Sequence, residues 1–365
     1  MIIIGYSFWG FLGEGIEDSP DGGRATRLPL IKALLEQGNI LITSLQKDRD
    51  RIEGFGFNDL PNGFSYSDPK SFPDIDVLWL EYRWPIPGRN TNISPESINY
   101  TPDWDRQEEL LNHYGRLGVP IIIWDKDQRL SSQMSRDLHQ RFMGPVKILA
   151  PALLPPPYYD GSLLLPFSRE LRQSALKVSS SLSHVRPKEL VYIGNQYERD
   201  DSFSKYINEP SKILGYSADV YGNWTKYREK HFLNSINFPN VNFHSRVGYS
   251  KVMSIYQQSQ ATVLIAPQRY FNTGQLTQRA FEALGGGCIP LLPIEYRHVD
   301  KFFPKDLWVR DSQDVAKCIG WIKNMKTDQK KRLLVNILGY LKPYEVDKQG
   351  KNFYNIVLNL VNYTD

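Results

Sequence analysis

The stretch Gln260–Pro293, QATVLIAPQRYFNTGQLTQRAFEALGGGCIPLLP, constrains the fold more than any other part of the chain. It opens on an apolar run, Ala261 to Ala266, of strand length and β-branched content, broken by Pro267. A loop of polar and small residues follows, and a helical pattern sets in near Gly274. Leu276, Ala280, Phe281 and Leu284 then share one face, with Arg279 and Glu282 flanking it. The glycines at 285 to 287 stop that helix, and Cys288 to Leu292, between prolines, reads as a buried parallel strand. The unit is therefore β–loop–α–β, with its polar loop at the strand's carboxyl end. Open α/β sheets bind nucleotides there, with phosphate facing helix amides.

At 365 residues the chain exceeds a single hydrophobic core, which predicts two domains. The sequence places the first at 1–165, the second at 166–345, and a C-terminal helix within 346–365 packing back on the first. The join falls in the proline-rich LLPPPYYDGSLLLPFSRE. No apolar run approaches the ~20 residues of a membrane helix. The opening MIIIGYSFWG lacks a basic leader and a small-residue cleavage site, and reads as the first buried strand. Cys288 and Cys318 build no disulfide framework, which fits a reducing cytoplasm, and the sequons at Asn92, Asn223 and Asn362 read as chance. A net charge of +4 permits a polyanionic partner without demanding one. The histidines are scattered, so no His/Cys ligand cluster suggests a metal.

Residues 1 to 45 read as a βαβ unit whose glycine-rich loop fits neither G-x-G-x-x-G nor a P-loop. The strand Asp76 to Tyr82 runs into RWPIPGRN, where Arg83, Trp84 and Arg89 are either cation–π packing or a rim that holds phosphates and bases. Val119 to Asp127, VPIIIWDKD, is a strand ending in Asp125 and Asp127. These acids either cap a helix starting near Leu130 or reach the cleft as a general base or hydroxyl acceptor. Ile148 to Ala152 is expected to be the last strand of the first domain.

The run R-A-F-E-A-L-G-G-G-C-I-P-L resembles the nucleotide-sugar segment of the two-domain, GT-B type glycosyltransferases. The resemblance implies an α/β fold of two Rossmann-like domains facing a cleft, and a UDP-sugar as co-substrate with no further cofactor and no metal. It gives Glu282 the ribose hydroxyls, and puts Gly274 where many retaining members carry a second glutamate. Thr273, Gln275, Arg279 and the helix amides near Gly274 would line the donor, and the turn at Arg246 and Val247 would read its base. The strand ending at Gly194 would lead to Arg199 and Lys205, which neutralise the leaving diphosphate; alternatively both are surface charges balanced by Asp200 and Asp201. Asp127, then Asp125, would act on the acceptor hydroxyl. The DKD spacing mimics a metal-binding D-x-D of another glycosyltransferase architecture, a reading the GT-B segment argues against.

Within that family the phage enzymes that glycosylate hydroxymethylated cytosine in DNA are similar at IIIWDKD and at Glu282–Pro290. This likeness implies a duplex DNA acceptor met by Arg24, Arg83, Trp84 and Arg89, with Arg27, Lys47, Arg49 and Arg51 in the same domain, and a host cytoplasm. Enzymes acting on polysaccharide or surface glycans share LVYIGNQYERD and YGNW equally well. A non-catalytic nucleotide-sugar-binding protein is the alternative of a different class.

Overall fold

A computed structural model describes residues 1–9, 12, 25–45, 61–68, 70–181, 186–224, 238–301 and 303–362. The chain divides into two compact units, the first built from residues up to Pro166 together with Val346–Asp365, the second from Phe167–Glu345. Arg24, Lys47, Arg49 and Arg51, expected at the acceptor, lie outside the described residues.

The first unit holds the strands β1 (Ile2–Ser7), β2 (Ile40–Ser44), β3 (Phe64–Tyr66), β4 (Val77–Glu81), β5 (Ile121–Trp124), β6 (Val146–Ala150) and β7 (Gly161–Ser162). They form one parallel sheet in the order β3-β2-β1-β4-β5-β6-β7. β4 and β5 are buried at every position, as strands covered on both faces must be. Helix α1 (Arg27–Leu35) follows β1, and α2 (Asp103–Arg116) and α3 (Ser132–Arg141) flank β5 in sequence. β7 lies inside the segment expected to be a plain connector, so Ile148 to Ala152 does not hold the unit's last strand. The proline run turns the chain back, and Leu149 and Ala150 pair with Gly161 and Ser162.

The second unit repeats the plan with β8 (Lys188–Ile193), β9 (Ala218–Tyr221), β10 (Val241–His244), β11 (Ser259–Val263), β12 (Ile289–Pro293) and β13 (Trp308–Val309). Their order, β10-β9-β8-β11-β12-β13, is again fully parallel. The helices are α4 (Arg169–Ser181), α5 (Asp200–Phe203), α6 (Glu209–Leu214), α7 (Tyr249–Gln257), α8 (Gln268–Thr273), α9 (Gln278–Gly285), α10 (Ser312–Asn324) and α11 (Thr327–Tyr340). The last helix, α12 (Val346–Val361), belongs to the first unit, where Gly350 meets Ala33 of α1.

Both sheets reverse direction of growth once, between β1 and β4 and between β8 and β11. The carboxyl ends of strands at such a switch point leave a crevice that neither crossover helix covers.

One expected boundary moves. The helix does not begin near Gly274; that residue closes the short α8 in a left-handed conformation, φ 65°, and α9 starts only at Gln278. Gly274 therefore sits at a helix carboxyl end and offers no amino-terminal amides to a phosphate.

Candidate functional site

At the switch point of the second unit, Arg279 leaves α9 and reaches across the end of β11. Its Nη1 donates to the Ile265 carbonyl at 3.2 Å and to the hydroxyl of Tyr192 in β8. Gly194 closes β8 here: a Cβ on it would lie 2.8 Å from Tyr192 Oη and 3.2 Å from Arg279 Nη1. Arg199 is the second guanidinium of this group. Its Nη1 donates to the carbonyls of Asn195 at 3.3 Å and Tyr197 at 2.6 Å, while its Nε is buried with no partner. Burial lowers its proton affinity, and the charge of Arg279 acts in the same direction. Two like charges close enough to oppose each other form a site that an anion relieves.

Glu282 lies one turn beyond Arg279 on α9 and is 7% exposed. Its carboxyl accepts no hydrogen bond among the described residues, and burial pushes its pKa up to about 7 against the opposing pull of Arg279. An unspent carboxyl so placed is ready to accept from a ligand's hydroxyls.

The other residues expected at the donor divide. Lys205 is ion-paired with Glu295 at 2.6 Å, and Glu295 also accepts from Tyr206. The Thr273 hydroxyl turns into its own helix, onto the Arg269 carbonyl at 3.1 Å. Gln275 is buried, Arg246 is exposed, and Val247 packs against the cluster that contains Val252 and Tyr256. Arg199, Arg279, Gly194 and Tyr192 come together; Lys205 belongs to a neighbouring ion pair.

At the switch point of the first unit, a concavity is lined by residues 7–9 at the end of β1, by Glu81 and Arg83 at the end of β4, and by Asp103, Arg106 and Gln107 of α2. Glu81 is its electrostatic centre. It accepts from Tyr6 Oη at 2.6 Å and from Arg27 Nε and Nη2 at 2.9 and 2.8 Å, and pairs with Lys126 Nζ at 2.6 Å. Burial alone would raise its pKa, but Arg27 and Lys126 outweigh that and hold it at about 2. Arg27 also donates to the Trp9 carbonyl at 3.0 Å. Arg27 was expected among the cations facing an acceptor; it is 2% exposed and committed to Glu81.

Asp125 is fully buried, and its Oδ2 accepts from Leu130 N at 2.8 Å and Tyr159 Oη at 2.9 Å. Burial lifts its pKa to about 6. It braces the loop before α3, while the cap of that helix is Ser131, which accepts from Met134 N. Asp127 is partly exposed beside it. Arg83 and Arg129 both lie over the Trp84 indole, at 6.0 and 5.0 Å, and Arg89, in the same loop, is partly buried.

Sequence reasoning passed over Glu81, Asp103, Lys126 and Arg129. A signal existed for Glu81, since the acid ending DVLWLEY is a strand-end carboxylate by the same logic that singled out Asp125.

Residues 205–335 match the family described as glycosyl transferase-like. A search of curated protein sequences returned no match. Among solved structures, T4 phage β-glucosyltransferase is similar over 98% of this chain and 99% of its own, with 14% identity and a TM-score of 0.60. It is described as a DNA modifying enzyme, and one of its structures holds UDP and Mn2+. Anabaena HepE, in complex with UDP and glucose, is similar over 99% of this chain and 100% of its own, with 10% identity and a TM-score of 0.60. The α,α-trehalose 6-phosphate synthase of Burkholderia multivorans covers 100% of this chain and 97% of its own, with 10% identity and a TM-score of 0.56. At such identities the likeness is one of fold, and that fold is the two-sheet GT-B architecture of glycosyltransferase enzymes.

Proposed function

We propose, for a chain whose fold and whose 205–335 region are those of a GT-B glycosyltransferase, that it moves a sugar from a UDP-sugar to the hydroxyl of a hydroxymethylated pyrimidine in duplex DNA. The observation that carries the donor half is the group at the second switch point. Glu282 is unspent and buried, Arg279 acts on it electrostatically, and Arg199 lies near Arg279, neither arginine holding an ion pair among the described residues. In this reading Glu282 accepts from the ribose hydroxyls, and the two guanidiniums take the diphosphate. Arg246 and Val247 stay assigned to the base, Lys205 to the phosphates at second rank, since it must first leave Glu295.

The acceptor oxygen attacks the anomeric carbon, and the bond from that carbon to the diphosphate oxygen breaks. The electron pair departs with UDP, and the hydroxyl proton passes to a carboxylate. Charge grows on the diphosphate as the bond lengthens, so fixed guanidiniums stabilise the transition state more than the ground state. For the carboxylate, Asp127 is partly exposed, and Asp103 lines the concavity of the first unit. Asp103 and Asp125 both rank behind Asp127: Asp103 is buried with its two oxygens held by Thr101 and Arg83, and Asp125 Oδ2 already holds Leu130 and Tyr159.

The DNA acceptor is supported by the likeness to T4 phage β-glucosyltransferase and by two cations over Trp84, Arg83 in the loop after β4 and Arg129 in the loop after β5. HepE matches with an equal TM-score, so the acceptor is tested directly. Labelled sugar is offered from a panel of donors to hydroxymethylated, unmodified and glucosylated DNA, beside an oligosaccharide. Label on the hydroxymethylated DNA alone is the expected result. Label only on the oligosaccharide rejects the DNA acceptor and leaves the donor assignment standing.

A further inference from the structure

Both guanidiniums at the second switch point are anchored on neutral oxygens. Arg279 Nη1 donates to the Tyr192 hydroxyl and the Ile265 carbonyl, and Arg199 Nη1 donates to the carbonyls of Asn195 and Tyr197. Neither arginine holds an ion pair among the described residues. Of these anchors only the Tyr192 phenol is a side chain; the others are backbone carbonyls, which no substitution removes. Both arginines keep part of their surface exposed, whereas Tyr192 is fully buried in β8. Tyr192 therefore acts on a ligand only through Arg279.

That contact depends on a glycine. The side chain of Tyr192 passes over Gly194, where a Cβ would lie 2.8 Å from its Oη, 3.1 Å from its Cζ and 3.2 Å from Arg279 Nη1. The backbone of Gly194 is pinned on both sides. Its N–H donates to the Tyr221 carbonyl at 2.8 Å, and its carbonyl accepts from Trp224 Nε1 at 2.7 Å. The Tyr192 ring stands edge-on to the same Trp224, with centroids 5.8 Å apart, and the Arg279 guanidinium lies 5.2 Å from its centroid. The nearest atoms to a Cβ at 194 are thus the ends of two side chains and no backbone. What must yield to it is the contact between phenol and guanidinium.

A carboxylate in the place of this phenol would neutralise Arg279, whereas a phenol holds the guanidinium and leaves its charge for a ligand. An arginine fixed beforehand also has no reorganisation to undergo as charge develops on the leaving group. We infer that Tyr192 is a positioning residue, which aims Arg279 at the departing diphosphate through its hydroxyl, and that Gly194 serves the donor by leaving room for that contact. The inference rests on the donor reading proposed above and specifies what holds one of its two guanidiniums.

The test measures release of UDP from a panel of UDP-sugars, with and without hydroxymethylated DNA, under single-turnover and steady-state conditions. Tyr192→Phe keeps the ring and removes only the hydroxyl. It is expected to lower kcat about tenfold while moving the donor KM less than about threefold, as the loss of one hydrogen bond to a charged group at the leaving diphosphate should. In an Arg279→Ala background the same change should cost nothing more, because the side chain it acts through is gone. Gly194→Ala should reproduce the loss, and the pair Gly194→Ala and Tyr192→Phe should lose no more than either alone. Thermal unfolding establishes that the variants are folded. Full turnover in Tyr192→Phe or in Gly194→Ala, or a loss that multiplies with that of Arg279→Ala, overturns the inference while the donor reading stands. If the wild-type protein releases UDP from none of the UDP-sugars, the donor reading falls and the inference falls with it.

Discussion

Glu282 is a buried carboxyl that accepts no hydrogen bond among the described residues, which makes it costly to the empty protein and, in the proposed role, valuable to a bound one. Its pKa is raised from 4.5 to about 7, burial being the cause, so the folded state holds a proton that the unfolded state has released between those values. Stability contributed by the protonated form is therefore full below about pH 4.5 and is lost as pH rises through 7. By that shift Glu282→Gln should stabilise the empty protein by about 3 kcal/mol at pH 8 and hardly at all at pH 4. Paired thermal melts at the two pH values check this, and an equal effect at both would mean the carboxyl is solvated. UDP-glucose, whose diphosphate does not titrate in this range, should bind more tightly as pH rises through 7, and the Gln variant should lose that dependence. The sequence made Glu282 legible through the FEALGGG run. It could not show that Arg279, one turn earlier, and not Lys205 would stand beside Arg199, because that depends on which strand ends meet at the switch point.

At the level of elements, alternating apolar runs and glycines were enough to read two sheets of parallel strands. What they could not fix is where short helices break. The segment 267–285 carries a continuous helical pattern, yet Gly274 interrupts it, since a residue at φ 65° cannot propagate a helix. β7 was hidden for the opposite reason: its pairing is set by a turn through prolines and carries almost no periodicity. Glycines that look alike in sequence also differ in what surrounds them. In α12, a Cβ on Gly350 would lie 2.8 Å from Ala33 Cβ and 2.9 Å from the Ala33 backbone, so α1 and α12 meet backbone to backbone. In α10, a Cβ on Gly320 would meet nothing within 4 Å. Gly350→Ala should therefore destabilise, by about 1–3 kcal/mol of overpacking set against the helix-propensity gain. Gly320→Ala should stabilise by about 0.5–1 kcal/mol, because only propensity changes. Denaturant unfolding of the two variants gives the signs, and a stabilised Gly350→Ala would show that α12 is loosely docked.

For the molecule as a whole, the question with most mechanistic weight is where the positive charge on the departing diphosphate comes from. In the proposed reaction the second unit supplies it from its own chain: Arg199 and Arg279 share one end of the sheet, and neither carries an ion pair among the described residues that an incoming diphosphate would have to break. The rival source is a divalent ion, and a T4 phage β-glucosyltransferase structure holding Mn2+ with UDP gives that rival substance. The D-x-D spacing that lies at the end of a central strand is DKD at 125–127; the same spacing recurs at 48–50, 74–76 and 103–105. The first carboxyl of DKD is fully buried and turned onto Leu130 and Tyr159, so its two aspartates do not present themselves together to one ion. Turnover is therefore expected to survive exhaustive chelation, with added Mn2+ or Mg2+ changing it no more than a few-fold. Arg279→Ala and Arg199→Ala should each lower kcat more than they raise KM, because their contribution grows as the bond to the diphosphate breaks. If EDTA abolishes turnover and Mn2+ restores it, the ion and not the guanidinium pair carries the leaving-group charge. The two arginines would then be ground-state binders, whose loss raises KM and leaves kcat intact.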